Sequence, residues 1–137
     1  MIILVIDAQG GGIGRQLVSS IKQTLQDAEI LAVGTNAAAT AAMLKAGASS
    51  AATGENAVVV CSRKADVIVG PIGIVIADSM LGEITPKMAL AVAQSSARRI
   101  LIPFSHCDNI IIGAETASTT DLIQKAVAEV QKLCGTS

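Results

Sequence analysis

The stretch Ile2-Ile3-Leu4-Val5-Ile6-Asp7-Ala8-Gln9-Gly10-Gly11-Gly12-Ile13-Gly14-Arg15 decides how the rest of the chain is read. Five apolar residues without alternation suit a strand covered on both faces, as in a parallel sheet. Four glycines among the next polar positions let the backbone turn tightly and approach a ligand closely. From Ile13 the apolar residues recur at Leu17, Val18, Ile21 and Leu25, which is helical spacing. A helix that begins at such a loop directs unpaired N–H groups and a partial positive charge at whatever occupies it, and the natural guest is a phosphate. Close packing of helix on sheet is the alternative role for these glycines.

The loop matches no single phosphate motif throughout. A G-x-G-x-x-G ending at Gly14 would need glycine where the chain has Gln9, and a P-loop would need Lys-Ser/Thr where it has Arg15-Gln16. Asp7 beside a phosphate needs a partner of its own. A cation, a ribose hydroxyl or the N–H groups of the loop would serve, the last making Asp7 a cap. Arg15, in the first helical turn, is placed either to reach a phosphate or to lie in solvent.

Beyond this unit, strands are expected at 28–34, 65–71 and 99–104, a short one at 48–53, and another candidate at 109–113. Helices are expected at 37–46 and 55–64, at 72–81, from Pro86 to Ala97 with Thr85 as its cap, and after Thr119 or Thr120. Regular alternation of strand and helix defines an α/β domain with a mainly parallel sheet. The expected architecture is one Rossmann-like domain over residues 1–137, of sheet order 3-2-1-4-5 with helices on both faces, with Asn109–Gly113 as a candidate for a sixth strand. A flavodoxin-like order, 2-1-3-4-5, follows instead if residues 48–53 form no strand.

Composition narrows the function. Hydrophobic residues make up 51% of the chain, yet Phe104 is its one aromatic, so the core is built from Ala, Val, Ile and Leu. A net charge of −1 leaves no basic footprint for nucleic acid, and stacking platforms for single strands are missing. The longest uncharged apolar run, Val67 to Ala77, is too short to span a bilayer. Asp7 interrupts the N-terminal apolar run, so no signal peptide is expected. Cys61, Cys107 and Cys134 form neither a disulfide framework nor a zinc pattern. A reduced, cytoplasmic protein without a metal site is the economical reading.

In an open parallel sheet, ligands bind outside the carboxyl ends of the strands at the switch in strand order. That rule selects Asp7, Gln9, Gly10, Gly11, Gly12, Ile13, Gly14 and Arg15, with Thr35 and Asn36 after the second strand and Gly70-Pro71 after the fourth. It also selects Phe104-Ser105-His106-Cys107. Ligand clearance and turn chemistry are both open for Gly34 and Gly70. His106, the one histidine, and Cys107 are the candidates for chemistry. Neighbours on an extended segment point to opposite faces, however, so they form no ready-made pair. A dinucleotide site places an acid near the end of strand two for the ribose hydroxyls, and Thr35-Asn36 supplies none in local sequence. The cofactor is therefore left as NAD(P) or a mononucleotide.

Two resemblances follow from these residues. Gly12-Ile13-Gly14-Arg15 is similar to the end of the short-chain dehydrogenase loop, T-G-x-x-x-G-x-G, with Asp7 and Ala8 in place of its Thr and first Gly. The Tyr-x-x-x-Lys pair of those enzymes is impossible in a chain without Tyr. Over nearly its full length the chain resembles a family of small bacterial proteins known as a domain of unknown function. The motifs are I-D-x-Q-G-G-G-I-G at Ile6–Gly14, A-D-V-I-V-G-P-I-G-I-V at Ala65–Val75, L-G-E-I-T-P at Leu81–Pro86, I-L-I-P at Ile100–Pro103 and C-D-N-I-I-I-G at Cys107–Gly113. The resemblance implies a Rossmann-like fold and carries no activity with it.

The expected function is binding of a nucleotide or phosphate-bearing ligand as a sensor or accessory module, with a small NAD(P)-dependent oxidoreductase as the alternative. Ile72–Leu81 and Pro86–Ala97 carry few polar residues, so a homo-oligomer, a dimer through Ile72 to Ala97, is expected as well.

Overall fold

The computed structural model describes residues 1–104 and 109–135. The first strand, β1 (Ile2–Asp7), is followed by α1 (Gly12–Thr24), β2 (Glu29–Gly34), α2 (Ala37–Lys45), β3 (Ser50–Thr53) and α3 (Glu55–Lys64). Next come β4 (Val67–Pro71), α4 (Pro86–Gln94), β5 (Arg98–Ile102) and α5 (Thr119–Leu133). The sheet is parallel, with order β3-β2-β1-β4-β5. Residues 50–53 do form the edge strand, which decides for the Rossmann-like order.

β1 lies at the centre because its apolar run fits a doubly covered position. It pairs with β2 along its whole length and with β4 over Ile3–Val5. Successive side chains point to opposite faces, and the core divides accordingly. Ile3 and Val5 join Leu17, Val18 and Ile21 of α1 and Ile123, Val127 and Val130 of α5. Leu4 and Ile6 join Val58 of α3 and Met88 and Val92 of α4 on the other face. From β1 the chain moves outward through β2 and β3, then crosses through α3 to β4. The reversal between β1 and β4 opens the switch-point crevice beside the glycine loop.

Local chemistry corrects several boundaries. Thr85 caps α4 as expected, its Oγ1 accepting the Met88 N–H at 3.1 Å. α5 is capped by Ser118, whose extended backbone lets its Oγ accept the Asp121 N–H at 3.1 Å; Thr119 is already helical. The buried face of α4 is Met88, Ala89 and Val92. β5 ends before Pro103, which has no N–H to continue the ladder. The expected sixth strand at Asn109–Gly113 does not form: this segment ends in a turn, with Ile110 and Ile112 exposed at 83% and 88%. Residues 72–81 are not one helix either. After a single 3-10 turn at Ile72–Val75, the left-handed conformations of Asp78, Met80 and Leu81 break the helical path.

Candidate functional site

Asp7 ends β1 and turns its carboxylate back under the loop. Its Oδ1 accepts the Ala8 N–H at 2.8 Å and its Oδ2 accepts the Gly14 N–H at 2.6 Å. Burial raises its pKa above the usual 3.8. The N–H groups of Gly14, Ala8 and Ile13 oppose that rise, and the charge of Glu83 adds to it. Asp7 thus caps α1 internally, which gives the carboxylate the partner it needs.

The four glycines do different work. Gly11 has a φ of +73°, and a side chain there would stand 2.8 Å from Ala39 Cα. At Gly14 a Cβ would stand 2.5 Å from Met43 Sδ and 2.8 Å from Asp7 Cβ. Both are packing positions. At Gly10 and Gly12 an added Cβ would meet nothing within 4 Å. Neither residue donates its N–H to another described residue. Packing of the described chain therefore accounts for Gly11 and Gly14 and leaves Gly10 and Gly12 over.

These two glycines face a cleft of about 300 Å³ between the β1 loop and the ends of β4 and β5. It is lined by Asp7, Ala8, Gln9, Gly10, Gly11, Gly12, Ile13, Gln16, Pro71, Met80 and Phe104. The volume is at the small end for ligand sites. The lone aromatic of the chain is in this wall, as is Gln16, whose Nε2 donates to the Gly12 carbonyl at 3.1 Å. Among the described residues the lining holds no Lys or Arg, so an anion here would be met by backbone N–H groups and the helix dipole, as in dinucleotide-binding loops.

Other expected residues lie elsewhere. Arg15 is exposed and lines a separate groove with Ser19, Ser20 and Gln124, between α1 and α5, so it does not line the loop cleft. Gly70 is a packing position: a Cβ there would run into the Ile6 carbonyl of the adjacent strand. Gly34 is enclosed likewise, by Thr40 and the Asn36 carbonyl. Ser105, His106 and Cys107 lie outside the described residues. Among the described residues, no group of three or more His, Cys, Asp or Glu is placed to hold a metal ion.

Thr35 and Asn36 stand at the end of β2 and meet an acid that local sequence did not supply. Glu83 Oε1 accepts from the Thr35 hydroxyl at 2.6 Å, the Asn36 side-chain amide at 2.9 Å and the Gln9 N–H at 2.8 Å. Asn36 also donates to the Gln9 carbonyl at 2.9 Å and caps α2 through Ala39 N–H. The Thr35 hydroxyl, followed by the Gln9 N–H and the Asn36 amide, holds the Glu83 pKa below its usual 4.5 against the opposing effect of burial. Glu83 reaches this place from the β4–α4 connection, 48 residues along the chain from Thr35. The only sequence hint was its presence in the L-G-E-I-T-P motif.

A doubly wound parallel sheet with a glycine loop at its switch point defines the structural class. The chain belongs to the DUF3842 family, described as a domain of unknown function, which matches residues 2–135. Among curated proteins, none matches the chain by sequence. Its fold is similar to that of a dodecameric FMN-dependent Ubix-like decarboxylase from Escherichia coli O157:H7. The two share a TM-score of 0.54 and 14% identity, over 98% of this chain and 94% of the other. At that identity the likeness speaks for the fold alone.

Proposed function

We propose that this protein binds a nucleotide or other phosphate-bearing ligand in the cleft over Gly10–Gly12, as a sensor or accessory module. One observation carries the reading. Gly10 and Gly12 need not be glycine for the packing of the described chain, and their N–H groups have no partner in it. Close approach of a ligand to the backbone accounts for both features. FMN is the first ligand to try, since the structural neighbour is described as FMN-dependent. The experiment is a thermal-shift screen over FMN, NAD(H), NADP(H), ATP, GTP and coenzyme A. A ligand at 100 times its dissociation constant stabilises the fold by about 2.7 kcal/mol. A screen in which no compound raises the melting temperature would refute the reading.

The oxidoreductase alternative gains one feature from the structure: Glu83 places an acid at the end of β2, where a dinucleotide fold reads ribose. No Tyr exists in the chain to complete the dehydrogenase pair, so binding remains the favoured function.

The protein is further proposed to be a cytoplasmic homodimer. Ile74, Met80, Ile84, Met88 and Val92 cover the chain's own sheet, so the apolar surface of 72–97 is smaller than its composition suggests. Leu81 and Leu90 stay exposed, at 88% and 55%. Leu90 and Ala91 line a groove of about 500 Å³ between α3 and α4, the contact surface that a second copy would cover. No described helix is long and apolar enough to cross a membrane.

A further inference from the structure

Glu83 is held by an unusual piece of chain. Asp78, Met80 and Leu81 have φ values of 66°, 56° and 58°, and Gly82 follows at 84°. Left-handed conformations in non-glycine residues carry strain and persist only where surrounding contacts enforce them. The contacts here are the Asp78 N–H on the Ile84 carbonyl at 2.7 Å and the Ser79 hydroxyl on the Gly73 carbonyl at 2.6 Å. The result is a carboxylate fixed between the glycine loop and the end of β2. Its Oε1 is saturated by Gln9, Thr35 and Asn36, whereas Oε2 accepts from no described residue and the side chain is only half-buried.

We infer that Glu83 reads the sugar of the ligand, its open Oε2 accepting from ribose hydroxyls, and that the site selects ribonucleotides whose 2′-hydroxyl is unsubstituted. This rests on the proposed phosphate site at Gly10–Gly12. Glu83 is not in the lining of that cleft, but it accepts the N–H of Gln9, which is, at 2.8 Å; the inferred pose runs the sugar from a phosphate over those glycines past Gln9 to Glu83. An ionised carboxylate is an acceptor only. It therefore favours a hydroxyl donor, loses the 2′ contact with a 2′-deoxy sugar, which keeps only its 3′-hydroxyl, and repels a 2′-phosphate. The acid that a dinucleotide fold draws from strand two is supplied here by the β4–α4 connection, with Thr35 and Asn36 positioning it.

The test compares calorimetric affinities of the four ribonucleoside 5′-monophosphates with those of their 2′-deoxy forms and of adenosine 2′,5′-bisphosphate. Wild type and Glu83→Gln are measured in parallel. Glutamine keeps an oxygen for Gln9, Thr35 and Asn36 and replaces the open oxygen by a donor, so the loop retains its anchor. Wild type should bind the ribo form at least about tenfold more tightly than the 2′-deoxy form, and should bind the 2′,5′-bisphosphate more weakly than 5′-AMP. In Glu83→Gln the ribo-to-deoxy ratio should fall to within about threefold and the penalty for the 2′-phosphate should shrink. A purely structural role would change all affinities together and leave both ratios as they are, which would overturn the inference. Equal wild-type affinity for ribo and deoxy forms would also overturn it, while the phosphate site stands. Binding of none of these nucleotides would overturn this inference, while the phosphate site would stand or fall with the thermal-shift screen over FMN, the dinucleotides, the triphosphates and coenzyme A.

Discussion

Alanine at Gly12 and at Gly14, two positions apart in one helix, should move stability in opposite directions. At Gly12, the first residue of α1, a Cβ meets nothing within 4 Å and φ is not positive. The substitution restricts the unfolded chain without strain, which stabilises by about 0.4–1 kcal/mol. At Gly14 the helical preference for Ala over Gly is worth up to about 1 kcal/mol. Its Cβ, however, would stand 2.5 Å from Met43 Sδ and 2.8 Å from Asp7 Cβ. Met43 is fully buried, so its flexible side chain has little room to withdraw. Overpacking costs about 1–3 kcal/mol; with Met43 enclosed and Asp7 Cβ also too close, the upper part of that range, about 2–3 kcal/mol, applies, which leaves Gly14→Ala destabilised by about 1–2 kcal/mol. In a domain of this size that lowers the melting temperature by roughly 5 °C, against a rise of roughly 2 °C for Gly12→Ala. Ligand affinity should divide the other way, with Gly12→Ala losing at least about tenfold because its methyl group intrudes on the phosphate. Calorimetric melting and titration of both variants make the check. A destabilised Gly12→Ala, or one that keeps full affinity, would refute the division between packing and ligand glycines.

Three further outcomes are expected. Asp7→Ala strands the buried N–H groups of Ala8 and Gly14, and should cost about 2–4 kcal/mol in urea unfolding; a loss under about 0.5 kcal/mol would show that water replaces the carboxylate. The two site acids have opposite pH signs. Glu83, lowered from 4.5, supports the fold above that pH and loses its share as pH falls through its folded value. Asp7, raised from 3.8, gives its share in full below pH 3.8 and loses it as pH rises through its folded value. Glu83→Gln should therefore flatten the acid-side fall of urea-measured stability, and an unchanged profile would contradict the Glu83 contacts. Ala91→Glu, in the α3–α4 groove, should convert a dimer to a monomer in light scattering at tens of micromolar; a wild type already monomeric there would remove the proposed interface.

What the sequence made legible follows the physics of each segment. The β1–loop–α1 unit was readable because its residues contact one another within a short stretch: the buried run, the glycines and the 3.6-residue period of Leu17, Val18 and Ile21 all act locally. Strand order followed from connection rules, given a helix at 55–64 despite Val58-Val59-Val60. Ile110-Ile111-Ile112 resembled a strand but forms none, because apolarity alone does not supply a pairing edge. Glu83 was illegible for a different reason. Three left-handed non-glycine residues and Gly82 before it carry the chain back to the end of β2, and no periodicity encodes that path. Met80 entered the cleft by the same turn. Gly70 and Gly34 were ambiguous until their neighbours were seen, since clearance for a ligand and clearance for a neighbouring strand or helix leave the same letter in the sequence.

The central claim is that Gly10 and Gly12 present unspent N–H groups to a phosphate while Ala8 and Gly14 have given theirs to Asp7. Amide chemical shifts, followed by NMR during titration with FMN or whichever nucleotide stabilises the fold, separate these groups residue by residue. The account predicts large downfield shifts at Gly10 and Gly12, as expected for N–H donors to phosphate, with Gly14 and Ala8 moving little. Shifts concentrated in the α3–α4 groove, or spread over Gly14 and Ala8 with Gly10 and Gly12 unmoved, would contradict it.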